Sequence, residues 1–191
     1  MPIFGVTASS NMSTKLTDFY QIATTTLGSA QSNIEFTSIP ATYTHLQLRC
    51  LLQTNRGTYG RDGVLMQFNA DTGSNYSYHL LGGDGSTAYG GNGTSTSNMP
   101  LPEIMTSTAG ANVFGVMIID VLDYANTNKF KTTRTIGGGD HNGTIATLGG
   151  TVSLNSGNWR STNAITSIKL TPSVGTNFSA NSSIQLYWVK A

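Results

Sequence analysis

The chain has 191 residues, of which 38% are hydrophobic and only 10% charged, and its formal net charge is +1. That balance excludes a basic nucleic-acid-binding surface, because phosphate recognition needs clustered Lys and Arg and the basic residues here are dispersed. A single cysteine, Cys50, excludes an intrachain disulfide and a cysteine-based zinc site.

In chain order, residues 1–19 set isolated apolar anchors, Ile3, Phe4, Val6 and Leu16, among Gly5, Ser9, Ser10, Asn11, Ser13 and Thr14. So few apolar side chains make no core by themselves. The expectation is an extended N-terminal arm whose anchors touch its own domain or a neighbouring subunit. The segment has no basic stretch followed by an apolar one, so it does not read as a secretory signal. The β-branched run from Tyr20 to Leu27 favours a strand, and strict alternation follows in Ile34–Phe36 and in Leu46, Leu48, Cys50 and Leu52. Cys50 is therefore expected in the core as a small hydrophobe. Val64, Met66 and Phe68 alternate again, and another strand is expected near Asn75–Leu81.

Gly82 to Asn98 reads as a low-complexity loop. Val113 to Leu122 is apolar at nearly every position, as expected of a central strand covered on both faces, and it is too short to span a membrane. Phe130–Ile136 reads as the return strand of a hairpin through an Asn-rich turn, with Lys129 and Lys131 together on an exposed face. A glycine turn, Gly137 to Gly143, precedes an expected strand at Ile145–Leu154. The last strands are Ile168–Leu170 and Ile184, Leu186, Trp188, with Trp188 in the core. About ten short strands without a helical period predict an all-β fold. Residues 20–191 are expected to form one antiparallel β-sandwich, jelly-roll-like, with residues 1–19 as its arm.

The catalytic templates fail one by one. There is no G-x-S-x-G elbow, no phosphate-binding P-loop and no H-E-x-x-H. His45, His79 and His141 are scattered, and Asp140 next to His141 reads as a polar loop. The loops around Asp71 and Asp84 offer one carboxylate each, which suits an Asx-turn better than calcium. Asp120 and Asp123 diverge from a strand end, and Glu35 and Glu103 stand alone, so no carboxylate pair is set up for glycoside cleavage. No enzymatic activity, cofactor or metal is expected. Tyr59, Tyr89 and Trp159 with Arg160 lie among Gly, Ser and Asn and are candidate loop or glycan contacts, although Trp159 reads better as an anchor plugging the end of the sandwich.

Five blocks then follow one another in order: IEFTSIPATYTHLQLRC (Ile34 to Cys50), QFNADTGSNYSYH (Gln67 to His79), IIDVLDYANTNKFKT (Ile118 to Thr132), SGNWRSTNAITSIKL (Ser156 to Leu170) and SSIQLYWVKA (Ser182 to Ala191). Together they resemble small virion proteins of tailed bacteriophages, many from cyanobacterial and other aquatic hosts. The resemblance runs from about Tyr20 to the last residue and carries no catalytic residue to transfer. It implies a place in the virion, assembled in the host cytoplasm, with the major capsid protein or other virion proteins as partners and neither nucleic acid nor membrane. Low charge suits a subunit that meets neighbours, and a homo-oligomer, a trimer above all, is expected. Two roles fit: a capsid decoration or cement protein, with Ile3, Phe4, Val6 and Leu16 as capsid or subunit contacts, or a tail-fibre or tail-spike module binding host glycan.

Overall fold

A computed structural model describes residues 19–142 and 149–190. The expected arm, with Ile3, Phe4, Val6 and Leu16, lies outside the described residues, as do Ile145 to Leu148 of one expected strand. Among the described residues the alternating segments form twelve strands: β1 Phe19–Thr26, β2 Ile34–Phe36, β3 His45–Thr54, β4 Arg61–Phe68, β5 Tyr76–Gly83, β6 Ala88–Thr96, β7 Met99–Thr106, β8 Gly115–Leu122, β9 Lys131–Gly139, β10 Thr151–Trp159, β11 Ile168–Pro172 and β12 Ser183–Val189. Among the described residues the one helical turn is a 3-10 segment at Ser107–Ala109. The chain is all-β, as expected.

The strands join in one continuous mixed sheet. Eight run antiparallel in the order β1-β12-β3-β8-β9-β10-β5-β6, and four more, β2-β11-β4-β7, are antiparallel among themselves. The two groups meet where the end of β3 pairs parallel with the end of β7, Gln53 with Met105 and Thr54 with Thr106. This junction departs from the wholly antiparallel arrangement expected. It arises because β3 is ten residues long and its last residues leave one group of strands for the other.

β7 packs across β9 and β10, so the sheet doubles back and the core lies between its two parts. The alternation of β3, β4 and β12 supplies that core: Leu46, Leu48, Cys50 and Leu52 face Val64, Met66 and Phe68, with Ile184, Leu186 and Trp188 alongside. Each such side chain contributes about 1.5–3 kcal/mol when withdrawn from water. Burial pushes the Cys50 thiol far above the ordinary range, so it stays a protonated hydrophobe.

Two strands were not expected. β6 occupies most of the stretch read as a loop. Asp84 turns the chain by accepting hydrogen bonds from the Ser86 and Thr87 amides at 3.0 and 2.8 Å, and the return strand pairs with β5 as an edge. Aromatic rings cover glycines across the pair: a Cβ at Gly93 of β6 would meet the Tyr78 ring at 2.5 Å, and one at Gly82 of β5 would meet the Tyr89 ring of β6 at the same distance. β7, MPLPEIMT, contains two prolines that argue against a central strand. Beyond its parallel contact with β3 at Met105 and Thr106, β7 is paired only on its β4 side, so Pro100 and Pro102 cost little ladder bonding.

Candidate functional site

The hydrophobic pattern of β9 and β10 is inverted. A strand with one buried face ordinarily sends its apolar set inward. Here Lys131, Thr133 and Thr135 of β9 and Thr151, Ser153 and Asn155 of β10 point inward and are buried. Ile136, Val152 and Leu154 point out, with Ile136 54% and Val152 60% exposed. Crowding explains the inward choice. β7 presses its methionines against these strands, Thr133 Oγ1 lies 2.9 Å from Met99 Sδ, and a Cβ at Gly157 would meet that sulfur at 2.1 Å. Asn155 Nδ2 donates to the Pro100 carbonyl at 3.2 Å. Only small side chains fit there, and nothing about that crowding explains why the outward positions are large and apolar.

β8 continues the outer surface. It was expected to be covered on both faces, but only Gly115, Met117, Ile119 and Val121 are buried, while Val116, Ile118 and Leu122 are exposed. The apolar run is central in the sheet without being central in a three-layer stack. Register then lines the exposed side chains up across strands. One row reads Arg49, Ile118, Ile136, Leu154, Leu81 from β3 to β5. The next, one pleat away, reads Leu51, Val116, Gly138, Val152, Gly83. On the other side lies a polar row, Gln47, Asp120, Arg134, Ser156 and His79, in which Gln47 Nε2 donates to Asp120 at 2.8 Å.

Gly138 makes the second row concave. Its φ of 153° belongs to backbone that favours glycine, and an added Cβ would stand 2.0 Å from the Thr151 carbonyl oxygen. Without a side chain there, the surface drops between Val116 and Val152 into a hollow of about 750 Å³, with Ile118 and Ile136 on its flank and Arg49 and Asp140 at its rim. Five strands at a spacing of about 4.8 Å make the apolar surface roughly 19 Å wide.

The residues singled out from sequence do not assemble a second site. Trp159 is 2% exposed and ends β10 instead of standing in a loop. Its indole packs on Phe68 and Tyr76 at centroid distances of 5.6 and 6.4 Å, and Nε1 donates to Asp71 Oδ2 at 2.7 Å. Buried in this way, the ring offers no open face for stacking. Asp71 also accepts from the Gly73 amide and from Asn75 Nδ2, an Asx-turn. Burial works to raise its carboxyl pKa, but the bonds from Trp159, Asn75 and Gly73 prevail and hold it below the usual 3.8. Arg160 clamps the same corner, its Nη2 donating to the Ser74 carbonyl at 2.7 Å and to Ser95 Oγ at 3.1 Å. Tyr89 lies at the opposite end of β10, its hydroxyl 2.8 Å from Thr151 Oγ1. Tyr59 is exposed, with the Arg56 guanidinium 4.4 Å above its ring.

The pairing of Lys129 and Lys131 on one exposed face is also corrected. Lys129 reaches Asp123 at 2.7 Å on the surface. Lys131 points inward and is buried, its Nζ donating to the carbonyls of Asn126, Lys129 and Thr162 at 2.6, 2.8 and 3.2 Å. Burial pulls its pKa below the ordinary lysine range, and the Asp123 charge opposes that only in part. The side chain closes the β8–β9 turn.

Among the described residues no three His, Cys, Asp or Glu side chains gather as metal ligands, and no helix is long and apolar enough to cross a membrane. The carboxylates of Asp120 and Asp123 accept from Gln47 Nε2 and Lys129 Nζ, while the Asp123 amide donates to His45 Nδ1. What the sequence reading missed is the open apolar face. Its signal was present in the conflict between Ile136, Val152 and Leu154 and the run of small polar residues between them. No family model, curated protein or solved structure matches the chain.

Proposed function

We propose that this chain is a structural protein of a tailed-phage virion, a capsid decoration or cement protein that binds the outer shell and stabilises it. In this reading the sheet is a jelly-roll-like sandwich and residues 1–19 are an extended arm that helps tether it. The observation that carries the reading is the inverted face, two rows of large apolar side chains turned outward from β8, β9, β10 and β5. Such a surface costs solubility in an isolated protein and serves a subunit that protein neighbours cover. The ordered resemblance of five sequence blocks to phage virion proteins and the scarcity of charge agree with it.

The alternative, a tail-fibre or tail-spike module on host glycan, has less behind it. Trp159, Tyr89 and Arg160 are engaged in internal contacts, and Tyr59 precedes the start of β4 whereas Trp159 packs on Phe68 at its end. Copy number decides between the two. Quantitative gels of purified virions are expected to show the chain at a level comparable with the major shell protein, and a count typical of tail parts overturns the decoration role. Deleting residues 1–19 is expected to weaken assembly on particles; undiminished assembly removes the arm as a tether.

A further inference from the structure

We propose that the open face is covered by a second copy of this chain, in a two-fold contact that seats the Ile136 row of each protomer in the Gly138 hollow of the other. The proposal deepens the reading of the face as a protein-covered surface by naming what covers it.

Shape is the first argument. The two apolar rows differ by one pleat, and they differ in relief: the Ile118–Ile136–Leu154 row is a continuous ridge, whereas the Val116–Gly138–Val152 row is broken by the missing side chain of Gly138. A two-fold axis lying in the plane of the face, across the strands and between these rows, sets each ridge opposite the partner's hollow. The contact is then reciprocal, residue i on j and j on i, as an isologous interface requires. Sheets packed in this way lie about 10 Å apart with strands within about 30° of alignment, the geometry of a sandwich interior.

Charge is the second. The rows are bordered by Arg49 and Arg134 and by Asp120 and Asp140, two positive and two negative. A face meant for an acidic or basic partner carries one sign, while a face that meets itself must supply its own complement. Size is the third. Exposed apolar side chains, from Ile118 at 40% to Leu81 at 63%, lie side by side across five strands, and contiguous patches beyond about 300–600 Å² are rare on monomers. With the polar row included, the face approaches the about 800 Å² per partner of a standard stable interface. The contact is two-fold, in place of the trimer expected from the sequence.

The test is the mass of the purified chain in solution, by light scattering after size exclusion and by sedimentation at several concentrations. The wild-type chain is expected to be a dimer at micromolar concentration. Ile136→Lys and Val152→Lys, at exposed positions where folding does not need the apolar side chain, are expected to weaken it at least about a hundredfold by burying an unpaired charge. Their circular dichroism and melting should stay those of a folded sheet. Val174→Lys, exposed away from this face, is expected to leave the dimer unchanged. A monomeric wild type, a trimer, or a dimer indifferent to both lysines overturns the proposal. Each of those results leaves the virion reading to its own copy-number test.

Discussion

Trp159→Phe tests whether one corner of the sheet is held by a charge-assisted hydrogen bond or only by packing. The substitution keeps an aromatic ring beside Phe68 and Tyr76 but removes the N–H that donates to Asp71 at 2.7 Å. A hydrogen bond to a charged group is worth about 1.5–3 kcal/mol, and the lower figure applies because Asp71 is partly exposed. The smaller ring leaves unfilled space at a site that is 2% exposed, which adds about 1 kcal/mol. The expected loss is about 2.5 kcal/mol at neutral pH, or roughly 5–10 °C in Tm for a chain of this size. The loss is also pH-dependent. Asp71 is held below its ordinary 3.8, so its contribution is present above that value and disappears as pH falls through the folded-state pKa. Urea unfolding at pH 7 and again near pH 3 should therefore show the deficit of Trp159→Phe shrinking toward the packing component alone. An equal deficit at both pH values, or a Tm change under about 2 °C, refutes the ionic part of the argument.

Three further substitutions probe the inner face and the glycine of the outer hollow. Lys131→Met strands three carbonyls that now share one ammonium, and a loss of about 1–3 kcal/mol is expected in chemical denaturation. Thr135→Val should be neutral or stabilise by up to about 1 kcal/mol, because the buried Thr135 hydroxyl has no partner among the described residues; a clear loss in a thermal melt refutes this. Gly138→Ala is expected to cost at least about 3 kcal/mol or to prevent soluble expression, since its Cβ collides with the Thr151 carbonyl in a backbone conformation that glycine alone accepts easily; a variant as stable as the parent contradicts the register of β9 on β10.

The strands legible from sequence were those whose apolar residues alternate toward the core, as in Leu46 to Leu52 and Ile184 to Trp188. β7 was hidden by Pro100 and Pro102, which are tolerated because only one side of most of the strand is paired. β6 was hidden by its glycines, of which Gly93 makes room for Tyr78 of β5, a cross-strand fit that no single segment displays. Lys131 was assigned to the wrong face because charge usually marks solvent, and a lysine that caps three carbonyls of a neighbouring turn does not follow that rule. The Val113–Leu122 run told of two apolar faces truthfully. Local pattern has no way to say whether the second face is covered by the same chain or by another molecule. The Asx-turns at Asp71 and Asp84 were readable because their bonds close within a few residues.

The neighbour of β1 has a consequence for the order in which the protein comes into being. Among the described strands Phe19–Thr26 pairs with β12, Thr26 opposite Ser183 and Phe19 opposite Val189. During synthesis this segment therefore precedes its partner by ten of the described strands. β12 also stands between β1 and β3, so its arrival closes two ladders at once. Pairing across such a separation in sequence is slow, and an idle strand is open to pairing with the wrong chain. The sheet is completed late, from one side, by a strand that serves as its keystone.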